Sequence, residues 1–261
     1  MVLKISSIAI ACNHSQNFDS LIYLTKTMAQ KFDASIHIFL YEGTKIDLSE
    51  KLVGCNFKIE LCNTPIAKDL RERLNRIKPD LLILSTKNKD NSDGLFTFKD
   101  TCKIIEHAEK PVLTIPGNYQ FEKFEKIVIP IDTSFETRQK CPATVVFSQK
   151  FNSTVSIIGV STDKSKDTEV TINNYTRQVS NKIFENDVEN DIEIRLGGNI
   201  TEQTIAYANE VKADLVIIMT EQEVNFKSFL YGKFSEQFVK LANFPVLNVN
   251  TKDLIVSEAR L

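Results

Sequence analysis

Two aspartate–proline pairs constrain this chain more than any other feature. Asp80 leads an apolar run over residues 81–85, and Pro111 leads a second over 112–115. Asp214 and Pro245 lead matching runs over residues 215–219 and 246–249. Asp80 and Asp214 are 134 positions apart, as are Pro111 and Pro245, so the two segments align with no gap. Each holds a strand, a loop, a helix and a further strand. A chain that carries such a unit twice is a duplicated domain, and 261 residues suffice for two ordinary ones.

The rest of each half follows in order. The first reads as a strand over 1–12, a helix over 20–32 with Leu21, Leu24, Met28 and Phe32 on one face, and a strand over 35–41. A strand over 58–62 and a helix opened by Pro65 complete it. A polar linker spans 116–125. The second half repeats the order with a strand over 127–131, a helix over 134–150, a strand over 154–160, a helix over 173–185, a strand over 192–196 and a helix over 200–211. Ile8 and Ile127 are offset by 119, so the second half carries 15 extra residues. Their expected place is 161–174, a polar stretch suited to a mobile surface loop running into the next helix.

Buried strands alternating with amphipathic helices predict α/β domains with parallel sheets covered on both faces. The expected architecture is two flavodoxin-like or nucleotide-binding doubly wound five-stranded sheets in tandem, of order 3-2-1-4-5, over residues 1–118 and 124–251. Ligands of such sheets bind beyond the strand ends where the order reverses, between strands 1 and 4. That brings Asp132 beside the loop 220–231, and Asn13 beside the loop 86–97.

Composition excludes several classes. Residues 1–120 carry 16 basic against 14 acidic side chains, and residues 121–261 carry 16 against 20, so neither half has a nucleic-acid footprint. No apolar run approaches the roughly 20 residues of a membrane span. Residues 1–12 read as a first strand rather than a leader, which makes the cytoplasm the expected compartment. The five cysteines lack metal spacing and read as buried thiols. No nucleophile elbow or G-x-x-x-x-G-K-[ST] loop is present. Cys12 beside His14 suggests nucleophilic chemistry, although a turn at the strand end explains the pair more simply.

At this point the chain resembles the universal stress protein family in its tandem form. Ile127-Val128-Ile129-Pro130-Ile131-Asp132-Thr133-Ser134 is similar to the family's opening strand, I-L-V-P-V-D-G-S, and the run from Ile8 to Ser15 fits with Asn13 in place of Asp. The A-D-L-I-V-M and P-V-L-V-V strands occur in both halves. ATP-binding members carry a further motif, G-x-x-G-x9-G-[ST], whose glycines let backbone approach phosphates at a helix N-terminus. The matching positions in the second half are Met219, Gln222, Gly232 and Lys233, where one of four survives. In the first half they are Ser85, Asn88, Phe98 and Lys99, where none survives.

The resemblance therefore implies a regulatory or scaffolding stress protein with weak or no ATP binding. Its alternative is an adenine-nucleotide binder, with slow hydrolysis at most, acting through the second domain. The cofactor is then none, or ATP or AMP held weakly there. The candidate nucleotide pocket comprises Pro130, Asp132, Met219, Gln222, Gly232 and Lys233. Asp132 can accept hydrogen bonds from a ribose or adenine, or cap the helix near Ser134; Asn13 reads as a cap. Gly232 alone reads equally as a turn, and Lys233 as a solvated lysine. The apolar edge strands from Val112 to Ile115 and from Val246 to Val249 invite pairing. Family resemblance implies that they make one chain a pseudo-dimer, compatible with a further homodimer, with neither nucleic acid nor membrane as partner.

Overall fold

A computed structural model describes residues 3–13, 18–41, 47–62, 67–87, 95–220 and 234–250. It contains two compact units, one of residues 4–122 with 239–248, the other centred on residues 123–238.

In the first unit, β1 (Ser7–Asn13), β2 (Ser35–Tyr41), β3 (Phe57–Cys62), β4 (Leu81–Thr86) and β5 (Val112–Pro116) form a parallel sheet of order β3-β2-β1-β4-β5. Helices α1 (Phe18–Phe32), α2 (Ala67–Ile77) and α3 (Phe98–His107) connect them. Along β1, Ile8 to Cys12 are wholly buried, as a central parallel strand covered on both faces requires. In the other unit, β6 (Lys126–Ile131), β7 (Thr154–Ser161), β8 (Asn190–Leu196) and β9 (Leu215–Thr220) repeat the plan as β8-β7-β6-β9. Their helices are α4 (Cys141–Phe151), α5 (Lys166–Phe184) and α6 (Ile200–Glu210). After α7 (Phe234–Leu241) comes β10 (Val246–Asn250), expected from the sequence as the fifth strand of the second half. Its residues 246–248 belong to the first unit, antiparallel to β5, with Val246 opposite Thr114 and Asn248 opposite Val112. Thr114 Oγ1 donates to the Val246 carbonyl at 3.2 Å, and Asn248 Nδ2 donates to the Val112 carbonyl at 3.2 Å. The doubly wound α/β class expected from the sequence is the one observed.

The aspartates that mark the repeat serve the same end in both units. Asp80 Oδ2 accepts from the backbone N–H groups of Ser6 and Ser7 at 2.9 and 3.0 Å, and from both hydroxyls. Asp214 Oδ2 accepts from the N–H groups of Glu125 and Lys126 at 2.8 and 2.9 Å. Each carboxylate thus satisfies N–H groups at the entry into the unit's first strand, just before its ladder with the fourth strand begins. Burial alone would raise the Asp80 carboxyl, but the donors from Ser6 and Ser7 outweigh it and hold it below its ordinary value. Asp80→Ala should cost about 1–2 kcal/mol, read as a lower urea midpoint. Because the folded-state pKa is depressed, that advantage of the native chain is present above the ordinary aspartate pKa of about 3.9 and fades as pH falls below it. An unchanged midpoint at neutral pH would refute this reading of the repeat.

Three sequence expectations need correction. The stretch 161–174 is not a loop: α5 begins at Lys166, where Ser165 caps it by accepting from Thr168 N at 3.3 Å. Asp163 locks the turn, its Oδ1 accepting from Ser165 N and its Oδ2 from Ser165 Oγ and Thr168 Oγ1. Capping oxygens and first-turn acids outweighed the polar composition. The helix expected over 134–150 is split into a 3-10 turn, Glu136–Lys140, and α4. Pro142 has no N–H to return to Arg138, so Cys141 N bonds the Arg138 carbonyl instead. The linker is less polar than it reads, since Phe121 and Phe124 are both buried. Phe121 N donates to Ser20 Oγ at 2.6 Å, and the Phe124 ring meets Phe151 at 5.2 Å.

Candidate ligand site at the strand ends

The candidate site of the second unit begins where β6 and β9 part. Their ladder pairs Ile127 with Leu215 and Val128 with Val216, and stops before Pro130, which has no N–H to donate. The equivalent ladder in the first unit continues through Ala11, paired with Leu84. Pro130 and Asp132 then form one polar knot with Thr137. Thr137 Oγ1 donates to the Pro130 carbonyl at 3.3 Å and accepts from Asp132 N at 3.2 Å. Asp132 Oδ1 accepts from Ser134 N at 2.7 Å and Ser134 Oγ at 2.5 Å. The carboxylate therefore closes a two-residue turn instead of capping α4, and it stays partly exposed.

Beneath the knot lies Lys140, the last residue of the 3-10 turn, only 2 % exposed. Its Nζ donates to the Thr137 carbonyl at 2.7 Å and to Thr137 Oγ1 at 3.1 Å. Both acceptors are neutral. Burial pushes the ammonium down to about 8, against the pull of Asp132 and Cys141. The Pro142 break places this lysine inward, and the continuous helix expected from the sequence concealed it. Nearby, the Arg138 guanidinium lies 3.8 Å from the centroid of the Tyr175 ring and 5.0 Å from that of Phe135, which is 64 % exposed.

The structure brings together Pro130 and Asp132 of the expected pocket. Met219 is buried within β9, so its side chain belongs to the core. Gln222, Gly232 and Lys233 lie outside the described residues.

The first unit's strand ends look different. Residues 95–97 fold back on β4, with Leu95 N and Phe96 N both donating to the Ser85 carbonyl and Lys87 N to the Phe96 carbonyl. Phe96 is wholly buried among Ala9, Ala11, Phe39 and Leu84, its ring edge-on to Tyr41 at 6.1 Å. Phe98, at a glycine position of the ATP motif, packs against the same cluster. Asn13 Oδ1 is buried with no hydrogen-bond partner among the described residues, and the residues it is expected to cap lie outside them. Cys12 is wholly buried, and burial, then Cys62, push its thiol up to about 12, the opposite of an activated thiolate. His14 lies outside the described residues. Among those described, no group of His, Cys, Asp and Glu could hold a metal, and no helix is long and apolar enough to cross a membrane.

A universal stress protein family model matches residues 123–250. A putative universal stress protein from Pseudomonas aeruginosa UCBPP-PA14 has a similar structure, with TM-score 0.72 and 18% identity, over 97% of this chain and 95% of that one. A protein described as functionally unknown from Pseudomonas aeruginosa PAO1 gives TM-score 0.70 and 17% identity over the same shares. A universal stress protein from Archaeoglobus fulgidus DSM 4304 gives 0.66 and 13%, over 95% of this chain and 97% of that one. At these identities the likeness shows the fold alone. No curated protein sequence matches the chain.

Proposed function

From the match of residues 123–250 to the universal stress protein family, we propose that this chain is a regulatory or scaffolding stress protein whose first domain binds no nucleotide. The observation that supports this is Phe96. A wholly buried ring stands where a ligand's base or ribose would enter between β1 and β4, and Phe98 replaces a glycine that phosphates need. The second domain keeps the features a ligand requires, namely strands that part at Pro130, a partly exposed Asp132 and a buried cation. Those features favour the second reading, an adenine nucleotide held weakly by that domain.

Calorimetric titration of the full chain with AMP and ATP tests both readings. The expected result is at most one site per chain, of affinity weaker than micromolar, and weakened about tenfold further by Asp132→Ala, in line with one lost charge-assisted bond. Two sites per chain would refute the blocked first domain. One micromolar site would favour the nucleotide-binding reading over the scaffolding one. The ladder between β5 and β10, from opposite repeats, supports reading one chain as its own pseudo-dimer.

A further inference from the structure

Lys140 is a buried cation, and no anion among the described residues contacts it. An ammonium has three protons to donate. Two go to the carbonyl and hydroxyl of Thr137, and no carboxylate among the described residues lies within ion-pair distance. Asp132 acts on it as an opposing charge, yet the hydrogen bonds of that carboxylate are turned toward Ser134. The contrast with the first unit's charge cluster is sharp. There Glu60 takes two bonds from Arg76 Nη2 at 3.0 and 2.9 Å, one from Arg73 and a 3.5 Å contact with His37, while Asp69 takes another from Arg73 at 2.8 Å, so two carboxylates meet two guanidiniums. A lone buried charge is destabilising, and such costs concentrate where a ligand repays them.

The position fits a ligand. Lys140 is bound to Thr137, which is bound in turn to Pro130 and Asp132 where β6 and β9 part. Ligands of doubly wound sheets sit at that end of the strands. We propose that Lys140 is the anion-binding residue of the second domain, taking a phosphoryl group as a point charge where a glycine-rich loop would otherwise cradle it. This rests on the reading of the second domain as the ligand-bearing one. It places the charge on the crossover after β6 and needs none of the lost glycines. It also commits the ligand class, a phosphorylated metabolite such as a mononucleotide, in preference to a neutral nucleoside.

The test is thermal denaturation of the full chain with adenosine, AMP or inorganic pyrophosphate, for wild type, Lys140→Met and Lys140→Gln. The two variants differ in polarity, so a fault of folding in one leaves the other to report. The expected result is that AMP and pyrophosphate raise the wild-type Tm. In both variants the AMP affinity falls at least about tenfold and the pyrophosphate shift disappears, as loss of one charge-assisted contact implies. Any adenosine shift persists. If AMP stabilises wild type and both variants alike, the role of Lys140 is overturned while the nucleotide reading stands. If pyrophosphate acts through Lys140 but AMP does no better and adenosine nothing, the anion site stands and the adenine reading falls. If no probe shifts wild type, both fall.

Discussion

Phe96→Ala should destabilise the first unit by about 3–5 kcal/mol, the range for truncating a wholly buried aromatic. The ring is 0 % exposed and edge-on to Tyr41, within a buried cluster that includes Ala9 and Ala11, side chains too small to fill a gap by shifting. The backbone of residues 95 and 96 is tied to the Ser85 carbonyl, so the loop is not free to collapse inward. Both the transfer term and the cavity term should therefore be felt in full. Chemical denaturation followed by near-ultraviolet circular dichroism reads the loss. A change under about 1 kcal/mol would mean that the ring is not the plug of this crevice. The same variant should gain no nucleotide affinity, since the position of Phe98 still lacks its glycine.

Lys140→Met should have the opposite sign and stabilise the protein by about 1–2 kcal/mol at pH 7. In the folded chain the ammonium is held at about 8 against an ordinary 10.5, with burial the main cause. A lowered pKa means the folded state surrenders this proton more readily than the unfolded one, so the charge opposes folding at neutral pH. The full gap corresponds to roughly 3 kcal/mol at about 1.4 per pH unit. Methionine fills a similar unbranched volume, but it leaves the Thr137 carbonyl without its donor, which returns about 1 kcal/mol. For the same reason wild-type stability should rise with pH between about 8 and 10.5, and that rise should vanish in the variant. The titratable groups that act on it are Asp132 and Cys141; the Cys141 thiol is itself pushed up to about 11 by burial. A Lys140→Met protein that melts lower than wild type, with an unchanged pH profile, would refute the account.

Much of the fold was legible because burial imposes a pattern. Parallel strands covered on both faces need unbroken apolar runs, and these stand out at residues 8–12, 81–84, 127–131 and 215–219. The candidate site was less legible, for local reasons. Pro130 and Asp132 could be found because they end an apolar run. Lys140 could not, because a lysine in a helical stretch reads as solvated unless Pro142 is taken to break the helix. Phe96 sat in a stretch read only as a loop before α3, since nothing in the spacing of Leu95, Phe96 and Phe98 distinguishes a plug from the start of a helix. The capped start of α5 was available in Ser165, Asp167 and Thr168, and the polar composition hid it.

The placement of β10 has a consequence for synthesis. Residues 246–248 pack in the unit built from residues 4–122, so a nascent chain must leave the ribosome almost whole before that unit gains its last strand. At about 5–20 residues per second, the interval between translating β5 and translating β10 is on the order of 10 s. Throughout it the apolar edge of β5 has no partner from its own chain, and this protein should therefore depend on chaperones during translation more than after release.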